Sequence, residues 1–435
     1  MQKPKIHILL LSYYWPPAGG PGVQRWVKLS KYLNPNLCRI TVISPDPQKA
    51  SFPVTDHSIH HEADHIKLIH TDTSEPFAAY KKISGEKNIP IGGFSNQGKK
   101  TLVKKIMMGI RGNFFIPDAR KGWIPYAVEA ASKVMDNDPA QILISTGPPH
   151  STHLAALKIK QKYGIKWMAD FRDMWTHVYY NKDLMRSPFA RKYDMSLEKK
   201  VLENADRVLT VSPGTKKGID QPYKGLFLDK IEVLFNGFDA ADMGPKQPIK
   251  DDKLRLAFTG TISERFDYRA FTDGLDLFAE QHPEAEWEWR IAGIVPPYIH
   301  EKMAKWENRF VYEGYVPHER SVQVLKEANL LYYVIGNSEE YEGIIGGKIF
   351  EYLGAGRKIL HAMPPHFDAY QFLEKMNAQL CPKENTKEAW AEYLWHIYQH
   401  KELLQPEADM DTELQEYTRE AIAGKLFKMI EKLLK

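Results

Sequence analysis

The chain has 435 residues, which is enough for two or three domains of ordinary size. Its 59 Lys and Arg against 55 Asp and Glu give a net charge of +4, which argues against a large basic surface for nucleic acid. Hydrophobic residues make up 43% and charged residues 26%, and these proportions exclude a disordered, collagen-like or coiled-coil protein.

The cysteines and the first apolar run indicate in which cellular compartment the protein functions. Cys38 and Cys381 are the only two cysteines, which argues against a disulfide framework or a zinc site and fits a reducing compartment. No apolar run reaches about 18 residues, so no transmembrane helix is predicted. The run Ile6–Ser12 is short and precedes three aromatic residues and two prolines rather than a cleavage site, so it predicts a buried strand instead of a signal peptide.

The first half alternates short apolar runs with amphipathic segments. The predicted strands are Ile6–Ser12, Arg39–Ser44, Ile66–His70, Gln141–Ser145, Lys166–Ala169 and Arg207–Val211. The predicted helices between them include Gln24–Leu33, Ile124–Val134, Thr152–Tyr163 and Arg191–Asn204. Continuous apolar strands that alternate with helices are typical of a parallel sheet covered on both faces.

The same alternation begins again near residue 228. The predicted strands are Ile231–Leu234, Leu254–Thr259, Trp287–Ala292, Phe310–Glu313, Leu330–Val334, Lys358–His361 and Gln379–Cys381. We therefore predict an α/β protein with two doubly wound Rossmann-like domains, residues 1–215 and 216–408, that face a central cleft. A helix over Glu413–Lys435 follows, within a C-terminal segment 409–435.

Residues 88–123 interrupt the alternation with a basic insertion. Seven Lys and Arg occur there with one acidic residue, Asp118, and apolar residues lie between them. Such a segment can lie on an anionic membrane surface. Alternatively, it is a long insertion whose apolar residues pack on their own domain.

Three glycine-containing clusters could bind phosphate, because glycine lets backbone N–H groups approach an anion closely. The first is Gly19 and Gly20 after the first strand, although a tight turn alone would also explain it. It is not a dinucleotide fingerprint, because Arg25 stands where the third glycine should be. The second cluster contains Gly260, Ser263 and Arg265, and the third contains Gly347, Lys348 and Glu351.

Lys348 and Glu351 are three residues apart on a predicted short helix, so they share a face. A cation there can meet phosphates and a carboxylate can accept ribose hydroxyls, while an exposed salt bridge is the alternative. Two polar clusters follow strands of the first half and contain His150, Arg172 and Asp173. We expect these three side chains to line the same edge of the first sheet.

The motifs together resemble a glycosyltransferase of the GT-B fold, in the retaining family 4 group of bacterial surface polysaccharide synthesis. The matching segments are YYWPPAGGPGVQR, ISTGPPHSTH, ADFRDMW, VLTVSPG, FNGFD, FTGTIS and GGKIFEYLGAG, in this order over nearly the whole chain. The resemblance implies transfer of a sugar from a nucleoside diphosphate sugar to a lipid-linked or polysaccharide acceptor. It also implies retention, no metal, no further cofactor and a C-terminal helix that returns to the first domain.

The resemblance assigns roles to the candidate residues. Gly19, Gly20, Gly260, Ser263 and Gly347 would lie near the donor. Arg265 and Lys348 would neutralise its diphosphate, and Glu351, the second glutamate of an E-x7-E motif, would bind the ribose. His150, Arg172 and Asp173 would be catalytic, facing the sugar or the acceptor. The first glutamate of the motif is missing, because its position holds Gly343 and Glu342 is out of register.

Two aspartate pairs, at residues 136–138 and 409–411, have the spacing of a metal-binding DxD motif but do not follow a predicted strand. We interpret both as solvated turns. A nucleotide-sugar 2-epimerase of the same fold and a catalytically silent nucleotide-binding scaffold are the alternative functions. The expected location is cytoplasmic, with peripheral contact to the inner face of the membrane as a further possibility.

Overall fold

The computed structural model describes residues 5–52, 54–56, 62, 65–75, 102–178, 181, 184–245, 248–249, 253–405 and 410–435. Residues 88–101, the first part of the predicted basic insertion, therefore lie outside the described residues, as does Asp409. The chain divides into two compact units, which are residues 1–235 with 422–435, and residues 236–421. No described helix is long and apolar enough to cross a bilayer.

The first unit contains a seven-stranded parallel sheet with the order β3-β2-β1-β4-β5-β6-β7. Its strands β1 to β7 are Ile6–Ser12, Cys38–Pro45, Lys67–Thr71, Ile142–Gly147, Lys166–Phe171, Arg207–Thr210 and Ile231–Val233. Its helices α1 to α6 are Pro21–Tyr32, Leu102–Phe114, Ile124–Asn137, Ser151–Tyr163, Pro188–Asn204 and Pro213–Asp220.

The central strands of this sheet are buried on both faces. Leu9 and Leu11 belong to one apolar cluster with residues of α3, α4 and α5, while Ile8 and Leu10 belong to another with residues of α1. Because successive side chains of a strand point to opposite faces, an all-apolar strand requires a helical layer on each side. This explains why the first strands read as continuous apolar runs.

The second unit repeats the architecture with six parallel strands in the order β10-β9-β8-β11-β12-β13. Strands β8 to β13 are Leu254–Thr261, Trp287–Ile294, Phe310–Gly314, Leu330–Tyr332, Lys358–Leu360 and Gln379–Leu380. Helices α7 to α14 are Ala240–Met243, Arg269–Gln281, Pro297–Met303, His318–Glu327, Gly347–Gly354, Asp368–Lys375, Lys387–Gln399 and Met410–Leu414. The predicted fold of two doubly wound parallel sheets is thus confirmed.

The unit boundary differs from the predicted one at residue 215. Residues 213–220 form α6, and β7 pairs with β6 through Val208 and Ile231, so the first unit continues to Phe235. The predicted single helix over Glu413–Lys435 is also interrupted. A 3-10 turn at Gln415–Tyr417 separates α14 from the last helix, α15 (Arg419–Leu434). Four apolar residues of α15, beginning with Ile422, are buried in the same cluster as Ile8 and Leu10 of the first unit.

Candidate functional site

Each sheet has one point where the strand order reverses, between β1 and β4 in the first unit and between β8 and β11 in the second. Doubly wound sheets bind ligands outside the carboxyl ends of the strands at this point. Most of the predicted site residues follow those strands, so each unit is described at its own reversal point.

In the first unit, the glycine segment after β1 leads directly into α1. Gly20 is the N-cap with φ 103°, a left-handed conformation that favours glycine, and no side chain caps the helix. Gly19 donates its N–H to Val54 O at 2.9 Å, and a Cβ there would lie 3.1 Å from Val54 and Asp56. Gly19 therefore packs against the chain at residues 54–56, while Gly20 leaves open space at the helix N-terminus.

Arg172 lies directly against this helix start. A Cβ at Gly22 would be 1.6 Å from one of its guanidinium nitrogens, so a larger residue there would displace the guanidinium. The guanidinium also donates to Gly147 O at 3.1 Å and Pro148 O at 2.5 Å in the loop after β4. Arg172 thus holds the α1 N-terminus beside the loop that contains His150, while Asp173 beside it is exposed.

His150 is buried in the loop after β4. Its ring stacks on Trp175 at 4.8 Å, and neither ring nitrogen has a hydrogen-bond partner among the described residues. Burial, followed by the charges of His153 and Arg172, lowers the pKa of His150 well below its ordinary value. The neighbouring His153 bonds Ser145 Oγ at 2.8 Å and stacks on Phe171, which makes it a core residue.

An ion pair between Arg25 and Asp170 was not predicted. Both side chains are fully buried, and the Asp170 carboxylate accepts from Arg25, from Trp26 Nε1 at 2.7 Å and from Thr146 Oγ1 at 2.9 Å. Burial alone would raise the pKa of Asp170, but Arg25, followed by Arg172 and Trp26, lowers it below its ordinary value. The signal was in the sequence, because Arg25 replaces the third glycine of the fingerprint and Asp170 ends a buried strand.

In the second unit, Gly260 and Lys348 are in contact. Gly260 has φ 103° near the end of β8, and a Cβ there would lie 2.2 Å from Lys348 Cε. Gly293 on the neighbouring strand β9 packs against the main chain of Gly260, because a Cβ at Gly293 would lie 1.7 Å from Gly260 O. Gly260 therefore makes room for the lysine side chain, and Gly293 makes room for the Gly260 main chain.

Lys348 lies in the first turn of α11, after the N-cap Gly346. No side chain caps this helix, and its first turn has no acidic residue. The ammonium lies 5.0 Å from the centre of the Phe258 ring and forms no ion pair with any described residue. Burial lowers the pKa of Lys348 to about 8, while the charge of Glu351 partly opposes this. A cation at a helix N-terminus is unfavourable until an anion binds there.

The other predicted residues of the second unit lie around this helix. Ser263 is buried in the turn after β8, and its Oγ accepts from Arg265 N at 3.3 Å. Glu351 is half-buried one turn after Lys348. Glu342 is exposed directly after the 3-10 turn Glu339–Tyr341, and position 343 holds glycine.

Two tyrosines that the sequence analysis missed position these elements. Tyr352 OH accepts from Thr259 N at 3.2 Å and so ties α11 to the end of β8. Tyr333 lies after β11, where its hydroxyl would be 2.9 Å from a Cβ at Gly346. Tyr333 also lines a pocket with Asp267, Asn337 and Met363, at the carboxyl ends of β11 and β12.

No group of three His, Cys, Asp or Glu among the described residues could hold a metal ion. Asp136 accepts from Tyr163 OH at 2.7 Å, and Asp138 forms an ion pair with Arg39. Both aspartates of this DxD pair are therefore bound to other side chains. They lie on the amino-terminal side of the sheet, away from the carboxyl ends of β1 and β4.

Comparison with known proteins defines the class. HepE from Anabaena, solved in complex with UDP, is 12% identical, with coverage of 98% of this chain and 100% of that chain and a TM-score of 0.63. Sucrose-phosphate synthase from Thermosynechococcus elongatus is 14% identical, with 99% coverage of each chain and a TM-score of 0.61. A putative UDP-N-acetylglucosamine 2-epimerase from Listeria monocytogenes is 13% identical, with coverage of 98% and 96% and a TM-score of 0.56.

The fold is therefore GT-B, as predicted. Residues 100–242 match Glycosyltransferase Family 4, whereas no curated protein sequence matches the chain. The family match and the fold together make this protein a glycosyltransferase.

Proposed function

We propose that the protein transfers a sugar from a nucleoside diphosphate sugar to a lipid-linked or polysaccharide acceptor, with retention and without metal. One observation carries the donor assignment: among the described residues, the ammonium of Lys348 has no ion-pair partner, and the N-cap Gly346 offers no side chain to cap α11. A diphosphate would satisfy both the cation and the helix N–H groups. HepE has been solved with UDP and with UDP-glucose, which makes UDP the first nucleotide to test.

The donor residues of the proposal belong mainly to the second unit. Lys348 and Arg265 would neutralise the diphosphate, with Gly260, Ser263 and Gly347 giving it close access to main chain. Glu351 would accept the ribose hydroxyls. These contacts would stabilise the charge that grows on the departing diphosphate.

The first unit would serve the transferred sugar and the acceptor. The open helix start at Gly20 lies beside Arg172, which is fixed by the carbonyls of Gly147 and Pro148. His150, whose pKa is lowered by burial, would act through hydrogen bonds, while the exposed Asp173 would meet the acceptor.

Retention follows from the family resemblance and implies front-face attack. The bond between the anomeric carbon and the diphosphate oxygen breaks, and the acceptor oxygen bonds to the same face of that carbon. The acceptor proton passes to the departing phosphate oxygen, which leaves a nucleoside diphosphate and the glycosylated acceptor.

A thermal-shift screen with UDP, GDP, ADP, dTDP and NAD, each with and without EDTA, tests the donor assignment. A ligand at 100 times its Kd adds about 2.7 kcal/mol to the free energy of unfolding. We expect one nucleoside diphosphate to stabilise the protein regardless of EDTA. Stabilisation by NAD alone would overturn the proposal.

Lys348→Ala and Glu351→Ala should each abolish most of this shift, whereas the exposed control Lys375→Ala should preserve it. Full donor affinity in both site variants would refute the site. Product analysis without acceptor separates the epimerase alternative, because an epimerase would convert the sugar and a transferase would not. A silent scaffold would bind the nucleotide and transfer nothing.

A further inference from the structure

An exposed apolar surface lies on the first unit, outside the site described above. It consists of Ile110 and Phe114 on α2, Met185, and Phe189 and Tyr193 on α5, and is called here the apolar patch. The ring of Phe114 is 70% exposed and that of Phe189 is 82% exposed. Each helix contributes an i, i+4 pair, so the two side chains of each pair lie on one helix face.

Hydrogen bonds hold the two parts of the apolar patch side by side. Asn113 donates to Met185 O at 3.2 Å and accepts from Ser187 N at 2.8 Å. Arg186 donates to Gly112 O at 3.2 Å, and a Cβ at Gly112 would lie 1.9 Å from Leu184 O. The end of α2 and the start of α5 therefore form one continuous surface.

The backbone of the apolar patch is strained at Met185, and neighbouring contacts hold it in that conformation. Met185 has φ 46°, a conformation that bulky residues rarely adopt, and its side chain is exposed. The buried ion pair of Arg186 with Asp194 fixes the next residue. A strained and anchored backbone that presents an apolar side chain to water indicates a contact surface rather than a loose loop.

The charges around the apolar patch select its partner. Arg111, Lys121, Arg191 and Lys192 lie on the same two stretches, and Lys121 Nζ donates to Phe114 O at 2.6 Å. The only acidic residue within 108–121 and 184–193 is Asp118, whose carboxylate accepts from Ser151 N and Oγ, each at 2.9 Å. Exposed aromatic residues bordered by cations are typical of surfaces that enter the headgroup layer of an anionic bilayer.

We propose that the apolar patch docks this protein on anionic lipid membranes, with the Phe114 and Phe189 rings inserted among the headgroups. The alternative, that the insertion packs its apolar residues on its own domain, does not hold for Ile110 and Phe114, which are exposed. The docking surface combines α2 with the start of α5, which lies beyond the basic insertion 88–123.

Vesicle sedimentation of the 435-residue protein tests this inference. We expect binding to vesicles of phosphatidylglycerol and phosphatidylcholine at low salt, weakened by added salt, and little binding to phosphatidylcholine alone. The double variant Phe114→Ser/Phe189→Ser should weaken binding about tenfold or more. Arg191→Glu/Lys192→Glu should weaken it by about 25-fold or more, because each lost cation costs about fivefold and each glutamate adds a repelled charge.

Leu226→Ser is the matched control, because Leu226 is 65% exposed on the same unit but outside the apolar patch. Near-ultraviolet circular dichroism of each variant verifies its fold. Equal binding to neutral vesicles, equal loss in the control, or undiminished binding of both double variants would overturn the inference. So would a concentration-dependent dimer that the phenylalanine variant abolishes.

The measurement contains no nucleotide or acceptor, so it is independent of the proposed function. Lys348→Ala should sediment like the unmodified protein. A protein that binds vesicles without binding a nucleoside diphosphate would therefore refute the donor assignment alone.

Discussion

Arg25 and Asp170 form a fully buried ion pair between α1 and the end of β5. Arg25→Ala would leave the carboxylate with Trp26 and Thr146 as donors but without its countercharge. We expect the free energy of unfolding to fall by about 3–5 kcal/mol, measured by urea denaturation. The exposed pair Lys133–Glu129 is the control, and Lys133→Ala should cost less than about 1 kcal/mol. Equal losses would contradict this.

Lys348 gives the ligand-free protein a pH dependence of known sign. Its pKa is lowered from 10.5 to about 8, so the unfolded chain binds more protons between these values. This residue's contribution to stability is therefore present above pH 10.5 and lost as the pH falls through about 8.

Lys348→Met should accordingly raise the melting temperature of the ligand-free protein at pH 7. The gain should shrink as the pH rises from about 8 towards 10.5. Lys375→Met, which changes an exposed lysine, should show no such trend. A variant that is less stable than the unmodified protein at pH 7 would show that the ammonium already has a stabilising partner.

At the scale of elements, the end of β8 and the start of α11 depend on a glycine. Gly260→Ala combines a left-handed φ of 103° with a Cβ 2.2 Å from Lys348 Cε. We expect a loss of about 1–2 kcal/mol from the backbone alone and displacement of the lysine, with loss of the thermal shift by a nucleoside diphosphate.

Gly424→Ala is the matched substitution, since Gly424 is exposed within α15 and its Cβ would meet nothing within 4 Å. It should stabilise the protein by about 0.5–1 kcal/mol and preserve the nucleotide shift. Thermal denaturation measures both variants. An unchanged nucleotide response in Gly260→Ala would separate Gly260 from the donor site.

The elements also show what sequence patterns can and cannot predict. All thirteen predicted strands are present. The central ones are short apolar runs buried in a parallel sheet, whereas β3 and β10 contain no fully buried residue. The boundary at residue 215 was misplaced because α6 and β7 resemble the start of a new domain, and only the pairing of β7 with β6 reveals its sheet.

At the candidate site, contacts between distant residues were the part that could not be predicted. The Gly260–Lys348 contact joins positions 88 residues apart, and Arg25–Asp170 joins positions 145 residues apart. A motif identifies residue types and their strand ends, but the partner of a buried charge depends on packing. The burial of His150 against Trp175 depends on packing in the same way.

For the whole molecule, α15 is the element that makes the first unit discontinuous in sequence. Leu426 is fully buried in the cluster around Ile8 and Leu10. Leu426→Ala should cost about 2–5 kcal/mol. Hydrogen exchange should quicken in β1 and β2 but not in β8 and β9, whereas the exposed Lys428→Ala should change neither. Faster exchange in β8 and β9 alone would contradict this assignment.

This arrangement also sets the order in which the two units can be completed during synthesis. A ribosome releases residues 236–421 before residues 422–435, which complete the core of the first unit. At about 5–20 residues per second, the incomplete first unit waits on the order of ten seconds or more while the second is made. During that interval Ile8 and Leu10 lack their last helical cover. The unit that is translated first is therefore the one that finishes folding last.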